Sequence, residues 1–83
     1  MTIYQTNRPP SHPLITGRNG AGAVVCPGAI AGDRVLGVIN ITGGANAASS
    51  FESTISVNGQ IQQVSTGDAS GAQFWAVLAP LGN

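Results

Sequence analysis

RVLGVINIT, residues 34–42, is β-branched and apolar on both alternating faces, so it predicts a strand rather than a helix. Apolarity on both faces predicts a central strand covered on each side. Gly37 within it leaves room for a bulge or a close neighbour. QFWAVLA, residues 73–79, has the same two-faced character and is stopped by Pro80.

Between these runs the pattern changes. In residues 51–58, Phe51, Ser53, Ile55 and Val57 alternate with Glu52, Thr54, Ser56 and Asn58, which predicts a half-buried strand with its odd residues inward. Asn58 and Gly59 then signal a hairpin. A two-residue type I′ turn there sets Ile55 opposite Gln62 and strands Ile61 on the other face. A three-residue loop with a left-handed glycine pairs Ile55 or Val57 with Ile61, and is the favoured reading. Residues 60–66 follow as a strand bearing a row of polar amides. AVVC at 23–26 is a short apolar strand closed by Pro27 and Gly28. No window keeps helical periodicity over three turns. The fold expected is all-β, a small antiparallel sandwich or barrel of about five strands, with residues 1–20 an extended N-terminal arm and loop and residues 21–83 the β domain.

Pro9, Pro10 and Pro13 exclude a helix from the arm. Ile3 and Tyr4 are its large apolar groups before Leu14. Two readings stand: an arm laid across a neighbouring subunit, and a frayed terminus.

Charge is the compositional anomaly. Only 7% of the 83 residues are charged, against about 25% in ordinary soluble domains. Arg8, Arg18 and Arg34 are the basic residues, Asp33, Glu52 and Asp68 the acidic ones, and there is no lysine. Surface lysines and glutamates normally discourage wrong contacts, so the expectation is a surface taken up by other subunits. An 83-residue chain is marginal alone and usually leans on disulfides, a metal or oligomerisation. Cys26 is the lone cysteine, so no disulfide forms within the chain, and the possible ligands lack the clustering of a metal site. Three scattered arginines make no nucleic-acid footprint. Residues 1–10 do not read as a signal peptide and no apolar run matches a membrane span. A chain made in the cytoplasm follows, with no cofactor, nucleic acid or membrane expected as partner.

No catalytic constellation stands out. His12 sits in the proline arm, where nothing rigid holds it for a triad. Cys26 ends an apolar strand and reads as a buried structural thiol. GRNGAG, residues 17–22, lacks the lysine and flanking elements of a phosphate loop. Asn40, Ile41 and Thr42 match a glycosylation triplet by chance, mid-strand. Glu52 and Asp68 make a poor acid–base pair, one on a strand face and one in a loop. Asp33 is expected to cap a turn by accepting backbone N–H groups, leaving Arg34 for an interface.

GDRVLGVINITGG, FESTISVNGQIQQVS and FWAVLAP, which span residues 32–80, resemble small β-structured virion proteins of tailed bacteriophages. The resemblance implies a head decoration (cement) protein or part of a head or tail fibre, often trimeric, with no catalytic residue to carry over. On that reading the chain is a virion component that assembles with itself and with a capsid protein. The candidate interface residues are Tyr4, Arg8, Pro9, Arg34, Gln60, Gln62, Gln63 and Trp75, and both the 60–66 edge and residues 1–13 are expected to be buried by other chains. The rival reading is a carbohydrate- or receptor-binding module in which Trp75 lies flat beside Gln60, Gln62, Gln63 and Ser65. A third is a cytoplasmic oligomeric β protein.

Overall fold

The computed structural model describes residues 11–80. Five antiparallel strands form two sheets: β1 (Leu14–Thr16), β2 (Gly22–Val25), β3 (Arg34–Asn40), β4 (Gln60–Gln63) and β5 (Gln73–Ala79). A three-stranded sheet runs in the order β1-β5-β3, and a two-stranded sheet joins β2 to β4. The helical content of the described residues is one 3₁₀ turn, Ala48–Ser50. The all-β expectation is met.

Inward side chains of both sheets meet in one core. Ile15, Val38, Phe74, Ala76 and Leu78 come from the larger sheet, and Val24 and Ile61 from the smaller. Phe51 packs edge-to-face on Phe74, with ring centroids 5.4 Å apart at 69°, a geometry favoured by the ring quadrupoles.

The structure corrects four expectations about topology. First, β5 is the central strand of its sheet and β3 lies beside it, because two-faced apolarity reports what a strand can bury and not what flanks it. Second, residues 51–58 are not a continuous strand. Phe51 and Ile55 are buried while Ser53 and Val57 are exposed, which breaks the period of two. The cause is a change of partner. The Glu52 N–H donates to Gln62 O at 2.9 Å, whereas Val35 N–H donates to Ser53 O and Ile55 N–H to Asp33 O, each at 2.8 Å. The segment therefore starts beside β4, ends beside β3 and bends between them.

Third, the expected 51–57/60–66 hairpin pairs differently. β4 takes β2 as its ladder partner, with Val24 opposite Ile61. Residues 57–60 do turn, with Gln60 N–H donating to Val57 O at 3.2 Å. Gly59 has φ +77° and, among the described residues, no non-glycine residue has positive φ. Type I′ needs positive φ at Asn58 too, so the turn is of type II character. Fourth, Leu14–Thr16, inside the stretch read as arm and loop, form a strand. Ser11 exchanges backbone bonds with Leu78, and β1 pairs Leu14 with Trp75, so the described chain is bonded to β5 from Ser11 onward.

The expected irregularity at Gly37 is present. The β3–β5 register shifts between Val35 and Gly37, leaving Leu36 as the extra, outward residue of a bulge.

Candidate interaction surface

Alternation along β5 sends Phe74, Ala76 and Leu78 inward and Gln73, Trp75 and Val77 outward. Leu14 on β1 and Ile39 on β3 flank Trp75 in register. Leu36 at the bulge and Ile41 just beyond β3 extend the same apolar surface. Trp75 is 46% exposed, Leu36 60% and Ile41 44%. Arg34, at the head of β3, is the sole charged residue on the three strands. Scattered exposed apolar residues are ordinary on a monomer. Several large apolar side chains grouped round a tryptophan on one sheet face make this the candidate interaction surface.

The candidate residues fall in different places. Trp75 is at the middle of this face, and Arg34 is exposed at its end. Gln60 and Gln62 are half-buried on β4, in the other sheet. Tyr4, Arg8 and Pro9 lie outside the described residues. Gln63 is a correction: it is 2% exposed and faces inward. Its Nε2 donates to Arg18 O at 2.9 Å and Gly20 O at 3.0 Å, while its Oε1 accepts from Arg18 N–H at 3.0 Å. The side-chain amide stands in for a peptide group and ties the 17–22 loop to β4. Trp75 and the glutamines thus belong to separate sheets, and the aromatic-plus-amide platform is not assembled.

The 60–66 edge is a second correction. It is covered by the chain itself, with Phe51 bridged to Gln63. Val64 N–H donates to Ser50 O at 2.8 Å, and Glu52 Oε1 accepts from Gln62 N–H at 3.1 Å. Among the described residues, the edges of β1 and β2 that face away from β5 and β4 carry no ladder partner. They face each other across a groove of about 370 Å³ lined by Leu14, Thr16, Arg18, Ala23, Val25 and Pro27, with Val24 beneath. Sequence reasoning missed this groove because β1, three residues beside Pro13, is too short to show alternation.

The polar groups weighed for chemistry serve the scaffold. Glu52 Oε2 accepts from Ser56 Oγ at 3.0 Å. Asp68 Oδ1 accepts from both Ser70 N–H and Ser70 Oγ, which holds its carboxyl below the usual carboxylate range. Asp33 caps its turn as expected, accepting from Ile30 N–H at 3.1 Å. Asn58 Oδ1 accepts from Ala31 N–H at 2.8 Å, which docks the 57–60 turn on the loop after β2. Asn40 closes β3 rather than lying mid-strand: its Oδ1 accepts from Thr42 and Gly43 N–H. Arg18 Nη1 donates to Ala21 O within its own loop. Among the described residues, no three His, Cys, Asp or Glu side chains are grouped to hold a metal ion.

Cys26 is fully buried. Burial first, then the charges of Asp33 and Glu52, push its thiol up to about 11 from 9.0. The folded state therefore keeps a proton that the unfolded state releases as pH passes 9. Stability contributed by the neutral thiol is intact below that pH and is lost between about 9 and about 11. At about 1.4 kcal/mol per pKa unit, the loss across that window is on the order of 2–3 kcal/mol. The chain has no lysine to blur this window. Urea unfolding at pH 8 and pH 11 is expected to show the drop in the natural chain, and a much smaller one in Cys26→Ala.

Comparison with family models, curated proteins and solved structures found no match.

Proposed function

We propose that the protein is a non-enzymatic structural subunit, a decoration or cement protein of a tailed-phage virion, which assembles as a homotrimer and clamps neighbouring capsid subunits. The observation that carries the assembly part is the apolar face of β1, β5 and β3 around Trp75, whose single charge is Arg34 at its end. Interface cores are depleted in charge and enriched in tryptophan, and this face has both properties. Its neighbours Leu14 and Ile39 are aliphatic, which suits a protein partner better than a sugar. The virion setting is supported by the resemblance of residues 32–80.

A clamp of this kind works by mass action. Binding that takes only the folded subunit adds to the stability of a small domain, and symmetry repeats each modest contact. The face brings little side-chain entropy to lose on burial, since it lacks lysine and glutamate. The virion setting is tested by the protein composition of purified particles from a culture that makes this chain. Its presence at fixed stoichiometry to the capsid protein supports the proposal. Its absence from particles, while abundant in the soluble fraction, contradicts it.

A further inference from the structure

We infer that the groove between β1 and β2 is a strand-addition site, and that its occupant is the amino-terminal segment, residues 2–6, of a second copy of this chain. The inference rests on the assembly reading and names the contact that joins neighbouring copies.

The hydrogen-bond pattern marks the site. Ser11 and Leu78 exchange backbone bonds, Ala76 N–H donates to Pro13 O, and Gly17 N–H donates to Ala72 O. Odd residues of this stretch thus face β5, and antiparallel alternation turns the backbone groups of His12, Leu14 and Thr16 the other way. On β2, Cys26 N–H donates to Gly59 O and Val24 lies opposite Ile61, so Ala23 and Val25 turn their backbone groups away from β4. No ladder joins β1 to β2. Two strand edges therefore present donors and acceptors to one groove, and Leu14 and Val25 supply apolar walls, with Val25 74% exposed. Natural proteins guard such edges with lysine, proline in the strand or a covering segment. β1 and β2 have no charge and no proline within their bounds. An extended peptide that bonds to a free edge is a general recognition mode.

Residues 1–10 are the length of chain that precedes the described residues, which begin at Ser11, three residues before β1. Thr2, Ile3, Tyr4 and Thr6 are strand-favouring types with no charge among them. Ten residues extended reach roughly 33 Å, enough to leave one domain and lie along another. Folding back into the groove of the same domain needs a tight reversal near residues 8–10. Pro9 and Pro10 oppose it, because each drives the preceding residue to extended backbone. Exchange between copies satisfies both constraints, and each copy gives one segment and receives one, so the arrangement can close as a ring.

The test uses the full chain carrying Gln5→Cys and Thr16→Cys. Isotopically light and heavy forms are unfolded together, refolded as a mixture and oxidised gently. Cys26 is buried with a raised pKa and stays out of the reaction. Disulfides between residue 5 of a light chain and residue 16 of a heavy chain are the expected result. Links found only within single chains would overturn the exchange while the protein still sediments as an oligomer, leaving the assembly reading in place. No links in a monomeric protein would overturn both. In the otherwise natural chain, Thr16→Pro removes a donor that faces the groove and not β5. It is expected to weaken association about tenfold and to leave the monomer's fold intact. Unchanged association would count against strand addition on β1.

Discussion

Replacing Trp75 with glutamate is expected to dissociate the assembly while the subunit stays folded. Trp75 is half-exposed on the outer face of the central strand and contributes little to the core, which is built from Phe74, Ala76 and Leu78 on the other side of β5. The folding cost is mainly the poorer strand preference of glutamate, at most about 1 kcal/mol. In an apolar interface, by contrast, a buried tryptophan is the residue type most often found at a hot spot, worth about 2 kcal/mol or more. An unpaired carboxylate placed there adds a desolvation cost. Association is expected to fall at least thirtyfold, roughly the equivalent of 2 kcal/mol. Leu36→Lys checks the same claim at the bulge, where the side chain is largely solvent-exposed and its loss leaves the fold unchanged. Equilibrium sedimentation across concentration reads both variants. If both associate like the natural chain, the face is a plain solvent surface.

Gln63→Leu is expected to lower stability by about 2–3 kcal/mol, although the change removes no charge and keeps a similar volume. Arg18 N–H and Gly20 O lose the amide as a partner, and Arg18 O keeps only its bond from Ala69 N–H. Leaving a buried donor or acceptor unpaired costs about 1–3 kcal/mol, moderated here because the loop is only partly buried. For a domain of this size the thermal midpoint is expected to fall by roughly 10–20 °C. Gln63→Glu separates hydrogen bonding from packing. Its carboxylate would face the Arg18 and Gly20 carbonyls in a buried position, so its folded pKa would be raised. The variant is then most stable below about pH 4, the unfolded value for glutamate, and loses stability as pH rises. Thermal melts at pH 4 and pH 7 show this as a gap absent from the natural chain. Equal midpoints for Gln63→Leu and the natural chain would mean that the loop is not held by this amide.

Local pattern was legible where a run was long or its punctuation sharp. β5 matches residues 73–79, β3 starts at Arg34 with its irregularity at Gly37, and Gly59 is left-handed as expected, though in a two-residue turn rather than the favoured three-residue loop. Partner choice was not legible. The 51–58 alternation looks like one strand because Phe51 and Ile55 both keep odd parity, yet Glu52 N–H bonds to Gln62 O of β4 while Ser53 O accepts from Val35 N–H of β3. Gln63 looks like a member of an exposed amide row, since its type is usually outside. Nothing local shows that a glycine-rich loop, 45 residues earlier in the chain, lacks partners that this amide supplies. β1 was hidden by the prolines around it, and with it the groove. Trp75 was singled out as a candidate from the sequence, but its neighbours come from β1 and β3, far away in the chain.

The scarcity of charge now has a physical account in two parts. Most of the carboxylates and several amides close loops internally, as Glu52, Asp68, Asn58 and Gln63 show. On the proposed function, the largely apolar outer surface of the larger sheet would be covered by other copies, as would the edges of β1 and β2 under the proposed strand addition.

Trp75 is the single tryptophan of the chain, so its fluorescence reports on the face at issue without labelling. The direct measurement is its emission and acrylamide quenching on serial dilution, read beside the sedimenting mass. The expected result is a blue-shifted, quench-resistant tryptophan in an oligomer at high concentration, turning red-shifted and quenchable as the mass falls toward 8.3 kDa. A tryptophan exposed at every concentration, in a folded chain that sediments at 8.3 kDa throughout, would contradict the account.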